Sequence, residues 1–249
     1  MSALLEVSGL NKHFGGLHAL RNVSFSIAPG EIVGILGPNG AGKTTLYNLL
    51  TGFIPPDSGS VVFNGRTLRG LAPYRIAGLG ISRTFQLCRP FGGMSVFENV
   101  VVGGLGARRS ARADLAARAL ALLTQVGLGG KDQLQVESLS YGDQRRLEIA
   151  RALAAKPALL LLDEPFAGLG SGEIADLSAL IRGVHTEQGL TVMLIEHKLH
   201  EFMRLVGRVI ALDFGEVIAA GTPEDIVRHP AVIEAYIGRG DAQEHAGAA

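Results

Sequence analysis

Short β-branched and leucine-rich runs separated by turn residues open the chain, and apolar positions at helical spacing dominate only further on. Leu4 to Val7, Val23 to Ile27 and Glu31 to Leu36 read as strands, with Pro29-Gly30 as the turn between the second and third. Pro55-Pro56-Asp57-Ser58-Gly59 leads into a strand over Val61 to Phe63, and Asn64-Gly65 is a hairpin signal. Gly80 to Gln86 reads as another strand ending in a polar residue. From Pro90 to about Lys156 the character changes. Val96 to Val102 and Ala113 to Val126 predict helices, the second with Leu115, Ala119, Leu122, Leu123 and Val126 on one face. Ser140 followed by Asp143 is a capping-box pattern, which starts a helix through Leu147, Ala150 and Leu153. Ala158 to Leu162 is a strand of the fully buried type, Glu173 to Glu187 a helix and Leu190 to Ile195 a strand. Val209 to Leu212 and Val217 to Ala220 flank Asp213-Phe214-Gly215, and two short helical runs follow. The pattern predicts an α/β core with a helical segment inserted.

One polar stretch interrupts this pattern with chemistry. Gly37-Pro38-Asn39-Gly40-Ala41-Gly42-Lys43-Thr44-Thr45 lies between the apolar run ending at Leu36 and a helical run through Leu46, Leu49 and Leu50. Backbone N–H groups that turn inward around phosphate oxygens need glycine, and the following helix N-terminus adds orphan donors and a positive dipole end. Lys43 would reach the β- and γ-phosphates, and the Thr44 hydroxyl would ligate Mg²⁺. A chance match to this spacing in a chain of this size has odds of roughly 1%. The plainer reading is a glycine-rich turn between strand and helix.

Further candidates gain weight beside such a loop. Asp163 and Glu164 end the apolar strand, and two carboxylates there are costly to bury without a partner. A Mg²⁺ held by Asp163 would supply one, and Glu164 would polarise the water attacking the γ-phosphate. The alternative is an ordinary exposed strand end. Ser140 and Gly142 leave a helix N-terminus open to a phosphate, or serve only as its cap. Phe14, beside Gly15-Gly16, is placed to stack on a base or to sit in the core. His197, at a polar strand end, is by default a surface residue, and beside a triphosphate it would hydrogen-bond the γ-phosphate. The other six histidines share no metal-ligand spacing. Arg108, Arg109, Arg112 and Arg118 read as a solvated face rather than a lipid or nucleic-acid site.

Composition narrows the classes. Lys and Arg total 23 and so do Asp and Glu, with a pI of 7.1; this balance lacks the basic field that nucleic acid calls for. The 249 residues are 47% apolar, yet no run of about 18 apolar residues occurs, so no membrane span is expected. Met1 to Leu10 has neither a basic n-region nor a long apolar h-region, so no export signal is expected. Cys88, the single cysteine, excludes an internal disulfide and fits a reducing compartment.

The order of these motifs resembles the ATP-binding cassette of ABC transporters. The phosphate loop, Gln86, Leu139-Ser140-Tyr141-Gly142-Asp143-Gln144, the strand to Asp163-Glu164, and His197 carry the resemblance, which runs from Phe14 to about Gly238. It implies a RecA-like P-loop NTPase core with a small antiparallel β subdomain and an inserted helical subdomain. Within a single ABC ATPase domain, residues 1–88 and 157–240 would form the core with its antiparallel part, 89–156 the helical subdomain and 241–249 a flexible tail. Phe14-Gly15-Gly16-Leu17, Arg83-Thr84-Phe85-Gln86, Tyr141-Gly142, Arg145 to Arg151 and Ala167-Gly168-Leu169 are similar to one ATPase subunit of branched-chain amino acid importers, a group with urea and aromatic-acid relatives.

The resemblance implies ATP and Mg²⁺ as ligands, with Phe14 and Gly37 to Thr45 on the nucleotide. It implies Thr44, Gln86 and Asp163 at the metal, and Glu164, His197, Gln86 and Lys43 in hydrolysis. Two cassettes would close head to tail, so that Ser140, Tyr141, Gly142 and Asp143 of one copy meet the ATP held by the other, a paralogue being favoured over a second copy. Transmembrane permease subunits would be the direct partners at the cytoplasmic face of the plasma membrane, a substrate-binding protein only an indirect one, and nucleic acid none. Three residues depart from the family pattern. Tyr141 stands at the usual first signature glycine, Asp143 adds negative charge at a usual glutamine, and Gly170 replaces an acidic or amide residue. A soluble, non-transport ABC protein would want a second P-loop or long heptads, and neither occurs. A GTPase would want Asn-Lys-x-Asp, to which Asn11-Lys12-His13-Phe14 is a poor match; a kinase would not need Ser140 to Gln144 in trans.

Overall fold

The computed structural model describes residues 3–87, 89–105 and 112–237. Cys88, Arg108, Arg109 and the expected tail over 241–249 lie outside them. In chain order the first elements are β1 (Leu5–Phe14), β2 (Leu17–Ile27), β3 (Ile32–Leu36), α1 (Lys43–Leu50), β4 (Ser58–Phe63) and β5 (Arg66–Thr67). Then come α2 (Pro73–Leu79), β6 (Ile81–Arg83), α3 (Val96–Gly104), α4 (Arg112–Gln125), α5 (Tyr141–Ala154), β7 (Leu159–Asp163), α6 (Ser171–Gln188) and β8 (Thr191–Ile195). The last are α7 (Leu199–Leu205), β9 (Arg208–Asp213), β10 (Glu216–Gly221), α8 (Pro223–Val227) and α9 (Pro230–Ile237). These elements fall into two compact units, one made of residues up to Gly70 together with those from Ile195 on, the other of Leu71–Leu194.

In the first unit an antiparallel sheet has the order β2-β1-β4-β5. Its first two strands are longer than their apolar runs, because polar residues such as Lys12 and His13 continue the backbone ladder through register shifts. Alternation of side chains stops signalling a strand there, while the N–H and C=O groups still pair. The Asn64-Gly65 signal is met, with φ of 47° and 73° at the turn between β4 and β5. A second set of strands runs β10-β9-β3, parallel between β3 and β9 and antiparallel between β9 and β10. All five residues of β3 are buried, as in a strand covered on both faces.

A fully buried aromatic ring from α7 covers part of β3: a Cβ added at Gly34 would overlap the Phe202 ring. Gly34→Ala is therefore expected to destabilise the fold by about 1–3 kcal/mol through overpacking. A urea titration would read this as a lower midpoint, and an unchanged midpoint would mean that the ring has room to swing aside.

In the second unit β6 lies parallel to β7 in the order β8-β7-β6, and every residue of β7 and β8 is buried. Three helices, α3, α4 and α5, pack on one another. Leu115, Ala119, Leu122, Leu123 and Val126 are all buried, as their spacing predicts. Where α3 crosses α5, a side chain at Gly103 would strike the Arg151 backbone, so the absence of a side chain sets how closely the helices approach.

Helix starts differ from expectation in one informative way. A complete capping box stands at α3, where Ser95 Oγ accepts from the Glu98 N–H and Glu98 accepts from the Ser95 N–H. At α5 only half of one forms: Ser140 Oγ accepts from the Asp143 N–H at 3.1 Å, while Lys131 Nζ takes the Asp143 carboxylate at 2.5 Å. A lysine twelve residues upstream outcompetes the local N–H. Arg118 also departs from the solvated reading, since it donates to the Leu153 carbonyl at 2.9 Å near the end of α5 and burial lowers its pKa. The short helices α2 and α7 carry one and two buried residues, too few for periodicity to reveal.

Candidate functional site

In the first unit the glycine-rich loop connects β3 to α1, with Gly42 as the residue before the helix at φ 99°. A Cβ there would come within 2.7 Å of the Ala19 carbonyl oxygen, so both conformation and space demand glycine. Ala41 N–H donates to the Pro38 carbonyl at 3.2 Å, closing the turn. Lys43 is buried, and its ammonium donates to the Gly37 and Pro38 carbonyls at 2.6 and 2.9 Å. Thr44 is exposed beside it. An unforeseen contact joins this loop to α9: the Gly37 N–H donates to the Tyr236 hydroxyl at 3.1 Å, and burial pushes the phenol pKa up. A lone tyrosine 199 residues downstream carries no motif that could reveal such a tie.

Phe14 is 47% exposed and therefore not a core residue. It ends β1, and the Lys12 ammonium lies 5.6 Å from its ring centroid. Asp57 pins this end of the strand, accepting from Lys12 Nζ at 2.8 Å and from the His13 N–H at 2.6 Å. These two bonds hold the Asp57 carboxyl down at about 2. His197 is exposed just after β8. Its backbone is shaped by Glu196, whose carboxylate is buried and accepts from the N–H groups of His197 and Lys198 at 3.0 and 3.3 Å.

In the second unit the two strand-end carboxylates have separate surroundings. Asp163 is buried, and Arg83 Nη2 donates to its Oδ2 at 2.7 Å with both side chains 6% exposed. An arginine offsets the burial of this carboxylate: β6 places a guanidinium on β7's terminal carboxylate through the parallel register Arg83↔Leu161. Glu164 is held in the left-handed region at φ 50°, a costly conformation for a residue with a Cβ. Gln86 Nε2 donates to its Oε2 at 2.9 Å. The loop after β6 therefore faces the loop after β7 through these two side chains.

The signature residues lie at the start of α5. Gly142 is buried against Glu173, whose other carboxylate oxygen accepts from the Gly170 N–H at 3.0 Å. Gly170 leaves the start of α6 without a side-chain cap, and Glu173 fills that role. Ser140, Gly142, Asp143, Arg146, Leu169, Glu173 and Leu177 line a cleft of about 120 Å³. The charge anticipated from Asp143 is matched by Lys131. Tyr141 is 44% exposed and packs over Gly168, while Arg145 donates to its hydroxyl at 2.8 Å. Arg145 and Glu148, both buried, form an ion pair that no motif reading singled out. Burial pushes the Glu148 carboxyl pKa up, against the pull of the Phe85 N–H and Arg145.

Residues 20–167 match the ABC transporter family, and residues 216–242 match the branched-chain amino acid ATP-binding cassette transporter family. The chain is 43% identical to the high-affinity branched-chain amino acid transport ATP-binding protein LivG of Salmonella typhimurium, over 94% of this chain and 98% of that one. It is 41% identical to BraF of Pseudomonas aeruginosa, which carries the same description, with the same coverage. Among solved structures, the ADP conformation of MJ1267, an ATP-binding cassette of an ABC transporter, superposes with a TM-score of 0.86 at 30% identity, covering 96% of this chain and all of that one. The dimeric post-hydrolysis state of MJ0796 bound to ADP and Pi superposes with a TM-score of 0.78 at 28% identity, covering 88% of this chain and 98% of that one. The chain belongs to the ABC transporter family, as one of its ATP-binding and ATP-hydrolysing cassettes.

Proposed function

We propose that this cassette powers an importer of branched-chain amino acids. The observation that carries the substrate class is the match that extends past the shared ATPase core into residues 216–242, together with 43% identity to LivG over 94% of the chain. In this reading it works at the cytoplasmic face of the plasma membrane, bound to transmembrane permease subunits and paired head to tail with a second cassette. No helix among the described residues is long and apolar enough to cross a membrane, which fits a peripheral subunit.

The residues divide the chemistry between them. The N–H groups of Gly40 to Thr45 and the Lys43 ammonium bind the phosphates, and Phe14 stacks on adenine. Ser140 and Gly142, with Tyr141 and Asp143 beside them, bind the ATP of the opposite cassette at the N-terminus of α5. Thr44 hydroxyl, Asp163 carboxylate and Gln86 amide are hard oxygen donors that suit Mg²⁺, and among the described residues no cluster of three or more His, Cys, Asp or Glu forms a metal cage of its own. Bound there, Mg²⁺ would neutralise charge on the phosphates. Glu164 orients and polarises the attacking water, Gln86 keeps that carboxylate in place, and His197 hydrogen-bonds the γ-phosphate. Arg83 pairs with the Asp163 carboxylate and fixes where it points.

The test is to tag the chain in its native cell, solubilise the membranes gently and identify what co-purifies in stoichiometric amount. A multi-span protein, a second cassette and a binding protein that prefers leucine, isoleucine or valine are expected. A binding protein selective for urea or aromatic acids would overturn the substrate class. Recovery of ribosomes or DNA-repair factors without a membrane protein would overturn transport altogether.

A further inference from the structure

The loop that carries Gln86 is gripped from α5 by two side chains, Arg145 and Glu148. Arg145 is 2% exposed and spreads its guanidinium over four acceptors. Nη1 donates to the Phe85 carbonyl at 3.1 Å and to Glu148 Oε2 at 3.3 Å; Nη2 donates to the Gln86 carbonyl at 2.6 Å and to the Tyr141 hydroxyl at 2.8 Å. Glu148 completes the ring, its Oε1 accepting from the Phe85 N–H at 2.8 Å. Both faces of the Phe85 peptide backbone and the Gln86 carbonyl are thereby tied to one helix turn. The Gln86 side chain is exposed, and from the backbone held in this way its amide reaches Glu164 at 2.9 Å.

Tyr141 extends the grip to a third segment. Its ring lies on Gly168, where a Cβ would come within 2.8 Å of Cε1, and the Arg145 guanidinium stands 5.2 Å from its centroid. The first residue of α5 thus meets the loop after β7 on one side and, through Arg145, the loop after β6 on the other.

We propose that Arg145 is a positioning residue for hydrolysis: it holds the Phe85-Gln86 backbone so that the Gln86 amide stays on Glu164, and Tyr141 locks the guanidinium in the geometry that does so. The inference rests on the roles proposed above for Gln86 and Glu164. Lysine cannot replace the fork, because an ammonium is a point donor that cannot span carbonyls on two successive residues together with a hydroxyl and a carboxylate.

The test is a double-mutant cycle on the full chain, measuring ATPase kcat with Mg-ATP and binding of a fluorescent ATP analogue. Arg145→Lys retains the charge opposite Glu148 and is expected to lower kcat roughly tenfold, as loss of a charge-assisted bond would, with analogue binding unchanged. In a Gln86→Ala background the same substitution is expected to lower kcat no further. Tyr141→Phe, which removes one hydroxyl and keeps the ring on Gly168, is expected to lower kcat severalfold in the wild-type background and not in the Gln86→Ala background. Equal loss factors in both backgrounds, or unchanged kcat for Arg145→Lys, would overturn the positioning role and leave the role of Gln86 standing. Undiminished kcat for Gln86→Ala alone would overturn the role of Gln86 itself, and with it the relay.

Discussion

Glu164→Gln is expected to cut ATP turnover by about 10³-fold while leaving ATP bound, a loss of about 4 kcal/mol of transition-state stabilisation. Glutamine keeps the size of the side chain and can accept the Gln86 Nε2 hydrogen bond through its own carbonyl, so the 2.9 Å contact and the fold survive. What it loses is the negative charge that polarises the attacking water. A residue held at φ 50° gains nothing in stability from that conformation. The strained backbone instead aims the carboxylate, and the substitution removes what is aimed. Since the two cassettes share each ATP in the proposed mechanism, an arrested ATP holds them together. Sedimentation with saturating Mg-ATP should therefore find Glu164→Gln as a dimer, and a monomer would count against the shared site.

Lys43→Ala carries the second large effect. The ammonium is the one charged group on the glycine-rich loop, and its two carbonyl bonds of 2.6 and 2.9 Å keep it folded into the loop. Charge-assisted bonds of this kind contribute about 1.5–3 kcal/mol each. Loss of those to phosphate should weaken nucleotide affinity on the order of 10²-fold. The Gly37 and Pro38 carbonyls lose their buried donor as well, so the melting temperature is expected to fall, and affinity is compared at a temperature where the variant is folded. Titration with a labelled ATP analogue reads the affinity directly, and undiminished binding would sink the assigned role.

Lys43 and Glu164 stand in local patterns, and local patterns are what a sequence exposes. A strand, a loop of glycines and a helix follow one another within twenty residues, so their geometry is dictated by neighbours along the chain. The face of α4 was equally legible, because Leu115 to Val126 repeat at the period of one helix. Partners stay hidden where two distant segments compete for one group. Asp143 was read as the second half of a capping box and instead pairs with Lys131. At Asp163 the motif shows a carboxylate that Mg²⁺ would partner, and it does not show that Arg83 pairs with it.

What the sequence determined by itself was therefore the order of the elements, the phosphate loop, the acidic strand end and the family pattern that joins them, each set by the period of its apolar residues or by contiguous motif spacing. The tertiary structure alone decided which polar groups meet. Arg145 on Gln86, Tyr236 on Gly37 and Arg83 on Asp163 join positions 59, 199 and 80 residues apart. A hydrogen bond between such positions leaves no period and no spacing in the chain. It exists because a buried donor must find an acceptor, and only the packed fold determines which acceptor lies within reach.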